Sequence, residues 1–234
     1  MTARFSIPHD PGAASEPKAP DVFVIWQLID SAFPTGGFAH SGGLEAAWNH
    51  GAIRQRVELQ SWIVASLRQA GNSQLPMVRE VLLQPARLIE IDDVCEAWTS
   101  NHVANRASRL QGRALAIAAQ RTFGMSIAVD GVSPRFLHFA PVFGFVAGEL
   151  RMDVLTALRA CLFMQLRNAV ASAIRLNVIG PMEAQSLQHE LSSVAEAVVR
   201  HGMQLALDEI AQSAPLLDLW QGAHDRLHTR LFQS

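Results

Sequence analysis

The stretch Met152–Asn177, MDVLTALRACLFMQLRNAVASAIRLN, sets the fold class. Leu155, Leu158, Leu162, Leu166, Ala169 and Ala173 recur at three- and four-residue spacing. That period lines one face of an α-helix and no single face of a strand. The same period recurs on both sides. Upstream, Asn105–Phe123 is rich in Ala and Arg, favours helix and stops at Gly124. Val57–Ala70 puts Leu59, Ile63 and Leu67 on one face, with Gly71 as the stop. Val22, Ile25, Trp26 and Ile29 give an apolar face behind an Asp21 N-cap. Shorter helices are expected near Ser41–Gly51, Pro76–Gln84, Ile91–Ser100 and Val142–Leu150. Downstream, Gly180 lies in the C-cap region and Pro181 opens a helix to about Ala211. Pro215 then introduces a terminal segment, Leu216–Ser234. Residues 124–137 are the best strand candidate, though a Gly and a Pro interrupt them. The expected fold is all-α: a single globular domain of roughly eight to ten helices over 21–234. A polar, proline-bearing segment at 1–20 reads as a disordered N-terminal arm.

Hydrophobic residues make up 49% of the 234 and charged residues only 17%, so the chain has more apolar surface than one core consumes. A protein partner is the expected sink for the surplus. No run approaches the length of a membrane span, and no apolar leader precedes the arm. A net charge of −2 argues against nucleic acid as the partner. Cys95 and Cys161 stand alone, without a CxxC pattern, and read as reduced, buried side chains in a cytoplasmic protein.

Between the first two helices lies Asp30–Glu45, DSAFPTGGFAHSGGLE. Pro34 pre-sets a turn, Gly36 and Gly37 admit positive φ, and Gly42 and Gly43 open the next helix. Phe33 and Phe38 are expected to pin the turn to the core. An ordered loop of this composition is a functional candidate. Two bland roles compete there. Ser41 suits an N-cap, and with Gly42 as the cap Glu45 would sit at N3 and reach back to it. The surrounding Ala39-His40-Ser41-Gly42-Gly43 only loosely resembles a nucleophile elbow, because a helix rather than a strand enters it and position 39 is alanine.

His224-Asp-Arg-Leu-His228 has the spacing of a zinc-protease motif with Asp in place of Glu. On a helix the two imidazoles would share a face, which makes a metallohydrolase at His224 and His228 the alternative reading. The shorter acid and the few residues left for a third ligand weigh against it. No phosphate-cradling GxxxxGK[ST] run occurs, so no nucleotide hydrolysis of the chain's own is expected and no catalytic residue is assigned. Arg106, Arg109 and Arg113 make one basic stripe, readable as a solvated face. Gly112 beside Arg113 suggests a close helix approach, with Arg113 as a buried or interfacial anchor. The final residues, RLHTRLFQS, carry Leu231 and Phe232 where a chain end is usually polar, and docking on a partner is favoured over docking on the same chain.

These segments together resemble the urease accessory protein UreF family. The matching pieces are Ser31–Phe38 (SAFPTGGF) with Ser41 and Gly43-Leu44-Glu45; Arg106-Ala-Ser108 and Gln111-Gly-Arg113; and His138 with Pro141–Gly144. Arg175-Leu176 with Gly180 and Pro215–Asp218 follow, leading to His224-Asp225 and Arg230–Ser234. They occur in family order across residues 22–234. His40 stands where an aromatic is common, and Pro181 where glutamine is common.

The resemblance implies an all-α, non-enzymatic protein of urease maturation that bridges a UreD/UreH-type scaffold and the GTPase UreG, commonly as a homodimer. It would regulate GTP hydrolysis while nickel enters apo-urease. It implies no cofactor of the chain's own: GTP belongs to UreG, and nickel is handled by the complex. The residues expected to meet partners are Pro34, Gly36, Gly37, His40, Ser41 and Glu45 in the loop, Gln111, Arg113 and His138 beyond it, and Arg230, Leu231 and Phe232 at the end. Metal ligands are not expected, His224 and His228 being the only weak candidates.

Overall fold

The computed structural model describes residues 21–234; the arm expected over 1–20 lies outside the described residues. The elements are α1 (Val22–Ile29), α2 (Leu44–Asn49), α3 (Arg56–Asn72), α4 (Gln74–Leu83), α5 (Leu88–Trp98), α6 (His102–Phe123), α7 (Phe139–Glu149), α8 (Val154–Arg175), α9 (Pro181–Glu190), α10 (Ser192–Gln204) and α11 (Pro215–His224). Short 3-10 turns occur at Gly37–Ala39, Pro85–Arg87 and Leu207–Glu209. The fold is all-α, with no strand among the described residues.

At the centre is α7, whose residues Ala140 to Ala147 are all buried. A helix apolar on every side must be enclosed, and α4, α6, α5 and α8 do so. The seam read in α8 faces this core: Leu158, Leu162, Leu166 and Ala173 are buried. Asp153 caps its first turn by accepting the Thr156 N–H at 2.9 Å. Asn101 does the same for α6, taking the Val103 and Ala104 N–H groups, and Gly124 closes that helix in the left-handed region.

Four local expectations are corrected. In α1 the inward pair is Ile25 and Leu28, while Val22 and Trp26 are 51% and 57% exposed. The apolar residues of this helix encircle it, so periodicity could not choose the buried side. Gly71 is no stop: it lies inside α3, where a Cβ would come within 2.5 Å of the Val198 side chain of α10. Residues 124–137 hold only a tight turn, in which Val129 and Val132 exchange main-chain hydrogen bonds at 2.9 and 2.8 Å. The helix expected from Pro181 to Ala211 is broken into α9, α10 and the turn at Leu207–Glu209, and Gly180 is the N-cap of α9. Leu191, at the α9–α10 junction, is buried, with α9 against α8 and α10 against both α3 and α8. No Gly or Pro marks that junction.

Candidate functional site

The loop and the final segment of the chain form one structure. Gly43, at φ 90°, turns the chain into α2, and a Cβ there would lie 2.8 Å from the Gln221 main-chain nitrogen. Only glycine allows both that φ and the seating of α11 against α2. Two residues on, the Glu45 carboxylate is buried. It accepts the Leu231 N–H at 2.6 Å, the Phe232 N–H at 3.2 Å and the His224 Nε2–H at 3.0 Å. Glu45 therefore does not reach back to its own helix end; its acceptor capacity goes to residues nearly the whole chain away.

The neighbours continue the join. The Ser41 N–H and Oγ–H both donate to the Ser234 main-chain oxygen, at 2.5 and 3.1 Å. His40 Nδ1 meets Ser234 Oγ at 2.6 Å, and the Gln233 N–H donates to Ala39 O at 2.8 Å. Ser41 Oγ also accepts the Glu45 N–H at 3.4 Å, although the N-cap position itself is Gly43. Burial, with the charges of Arg106 and His224 adding to it, pushes the His40 imidazole down to about 4.

Phe232 is only 4% exposed and docks on this same chain, where a partner was the favoured reading. The Arg175 guanidinium lies 4.2 Å from its ring centroid and 5.3 Å from that of Phe38, and it also donates to Phe38 O. Phe33 enters the core and stacks on Phe123, but Phe38 remains 66% exposed. Pro34 and Phe38 in the loop and Arg230, Leu231 and Gln233 in the tail are exposed.

Asp225 fixes the approach to the tail. It takes a bidentate pair from Arg106 (2.8 and 3.2 Å), the His102 Nε2–H at 3.2 Å and Arg230 at 3.4 Å. Hydrogen bonding from Arg106 holds the Asp225 carboxyl below its usual range.

The remaining expected residues fall elsewhere. Gly36 is half-buried beside α6, and Gly37 abuts the Asn168 side chain. Gln111 lines a partly open cavity of about 210 Å³ together with Thr35, His40, Gln165, Asn168 and Gln221, and no Asp, Glu, Lys or Arg lines it. Cys95 and Cys161 also border it, and burial pushes both thiols up to about 12, which leaves them protonated. Arg113 is exposed rather than buried. Gly112 does permit a close approach, by the Leu137–Phe139 backbone that leads into the first residue of α7.

His138 is fully buried. Its Nε2–H donates to Glu96 at 2.8 Å, and its Nδ1 faces Ser108 Oγ at 3.0 Å. Asp92, also fully buried, accepts the N–H groups of Phe136, Leu137 and His138 at 2.8 to 3.0 Å. In this conformation His138 contributes to any contact only through the loop it anchors.

The metal reading loses its geometry, because α11 ends at His224 and no helical face carries both imidazoles. His224 is buried on Glu45, with Nδ1 unpartnered, while His228 is exposed. Among the described residues no group of three or more His, Cys, Asp or Glu side chains is placed to hold a metal ion. No described helix is long and apolar enough to cross a membrane.

Sequence reasoning gave Asp92, Arg175 and Asp225 no role of their own, although Arg175 and Asp225 stood in the pieces matched to the family. Asp92 left a signal: it occupies a buried position in the apolar stripe Leu88, Ile91, Asp92, Cys95 of α5. A carboxylate within such a stripe must be satisfied by internal donors. Arg175 and Asp225 left no local signal of what they touch, since Phe38 and Phe232 for the one and Arg106 for the other lie far away in sequence.

Comparison with known proteins sets this all-α scaffold, with its glycine-rich loop locked to its final segment, among the urease accessory proteins. The UreF family model matches residues 53–192. Urease accessory protein F of Oryza sativa subsp. indica is 36% identical over 233 residues, covering 96% of this chain and 89% of that one. Urease accessory protein F of Arabidopsis thaliana is 39% identical over 218 residues, 89% of this chain and 91% of that one. Urease accessory protein UreF of Sinorhizobium medicae is 29% identical over 217 residues, 90% and 94% of the two chains. The chain belongs to the UreF family of urease accessory proteins.

Proposed function

We propose that this chain is a non-enzymatic adaptor of urease maturation. It bridges a UreD/UreH-type scaffold and the GTPase UreG, and it regulates GTP hydrolysis as nickel is delivered to apo-urease. The observation that carries this is the buried Glu45 carboxylate, which ties residues 224–232 to the loop over 34–45. Two segments distant in sequence are thereby joined, and each leaves side chains exposed: Pro34 and Phe38 in the loop, Arg230 and Leu231 in the tail. Regulation follows if these side chains bind one nucleotide state of the GTPase better than the other, since equal binding shifts nothing. In this reading the chain acts in the cytoplasm as a homodimer within the larger assembly, with residues 21–234 as one unit. It holds no cofactor: GTP stays on the GTPase, and nickel is cargo of the complex.

The test combines the full chain with purified UreD/UreH-type and UreG-type proteins of the same organism. Assembly and GTP turnover are then compared for wild type, a deletion of residues 224–234 and the surface variant Arg230→Ala/Leu231→Ser. The deletion and the surface variant should both lose the ternary complex and the change in turnover. Normal assembly of both variants would overturn the assignment of the tail.

A further inference from the structure

Helix α6 presents a face that the joined loop and tail use only at its start, where His102 and Arg106 meet Asp225. His102, Arg106, Arg109, Leu110, Arg113, Ile117, Gln120 and Arg121 fall within about a third of the helix circumference. The face runs about 30 Å along the helix. Over its 22 residues α6 carries four arginines and no Asp or Glu. A helix face that merely meets solvent usually interleaves signs as i, i+4 pairs, and this one does not. Arg106 is spent on Asp225, and Arg109 lies over the Phe136 ring at 5.2 Å with Glu96 at 3.6 Å. Arg113 and Arg121 have no ion-pair partner among the described residues, nor does Arg135, whose guanidinium also lies 5.2 Å from the Phe136 ring centroid. Between the arginines stand two large apolar side chains, Leu110 at 43% and Ile117 at 51% exposure.

We infer that this face docks an acidic protein surface bearing an apolar ridge. Charge complementarity selects the sign, because a chain of net charge −2 has gathered unpaired guanidinium groups on one helix. Leu110 and Ile117, two turns apart and flanking Arg113, select a protein over a polyanion, which gains nothing from apolar side chains. The face is continuous with the site already described. Ala114 of α6 lies against Gly36 of the loop, and Asp225 links Arg106 to Arg230. The proposal thus deepens the adaptor reading and rests on it: α6 widens the docking surface, with Arg113 at its centre.

The test titrates the UreG-type and UreD/UreH-type proteins separately into the full chain at low and high salt. The variants are Arg113→Glu/Arg121→Glu, Ile117→Ser and, as a control on a distant unpaired arginine of α3, Arg68→Glu. For one partner, the double variant should bind about tenfold or more weakly and lose the salt dependence seen with wild type. Ile117→Ser should weaken binding while keeping the salt dependence, and Arg68→Glu should change neither. If every partner that binds wild type binds the double variant equally well, the α6 assignment is overturned and the adaptor reading stands. If neither protein binds wild type, the adaptor reading falls and α6 with it. Retention of wild type on heparin, lost in the double variant while affinity for both proteins is unchanged, would identify the face as a polyanion site and overturn the proposal.

Discussion

Glu45 accepts the main-chain N–H of Leu231 at 2.6 Å from within the protein, although 186 positions separate the two. The same carboxylate holds the Phe232 N–H and His224. A buried carboxylate is stable only when its lone pairs are filled, so here the final segment of the chain completes the charge balance of the loop.

Replacing Glu45 with Ala should release that segment. Three donors would lose their acceptor in a buried site, a loss on the order of 3 kcal/mol. Hydrogen exchange at the Leu231 and Phe232 amides should accelerate strongly, with α7 amides changing far less. Unchanged protection at both amides would show that the carboxylate is not what holds the tail.

Removing the Arg175 guanidinium should loosen the tail less. Arg175→Ala forfeits a cation–π contact to Phe232 and one hydrogen bond to Phe38 O, together about 1 to 2 kcal/mol. Limited proteolysis should cut after residue 225 faster than in wild type. Arg175→Lys should restore little, since an ammonium cannot lie flat on the ring.

Much of this molecule was legible in its sequence, and the exceptions have physical causes. The α8 seam and the Gly124 stop followed from period and capping alone. The α9–α10 break did not, because a junction made by burial of Leu191 leaves no turn residue behind. Within the site, the glycines, Ser41 and Glu45 stood out by composition. What they touch did not, because pairs such as Glu45–Leu231 and Arg175–Phe232 are tertiary and carry no local pattern. The Glu45 side chain fitted a local cap equally well on paper, and the fold chose the distant partner.

Gly112→Ala should be among the most damaging single-methyl changes in the chain. A Cβ there would collide with Leu137 O and lie 2.7 Å from the His138 carbonyl carbon. Backbone on both sides leaves nothing that yields cheaply, so a loss of several kcal/mol is expected. Chemical denaturation measures it directly. An alanine variant as stable as wild type would mean that α6 and the 137–139 segment are not packed this closely.

Acid should weaken the join through His40. An unfolded chain binds a proton there near pH 6.5, whereas the folded chain does not until about pH 4. Stability is therefore complete above 6.5 and is lost as pH falls towards 4, by on the order of 3 kcal/mol. In His40→Asn, which keeps a side-chain hydrogen-bonding group beside Ser234, the pH dependence of unfolding across that window should be shallower by up to one proton. Identical slopes for both proteins would place the titration elsewhere.

The most direct test of the adaptor claim is the mass of the assembled species, by size-exclusion chromatography with light scattering. The full chain is mixed with UreD/UreH-type and UreG-type proteins and GTP, then compared with Arg230→Ala/Leu231→Ser. Wild type should yield one ternary peak and the variant only free components. A ternary peak of the same mass and yield from the variant would contradict the account.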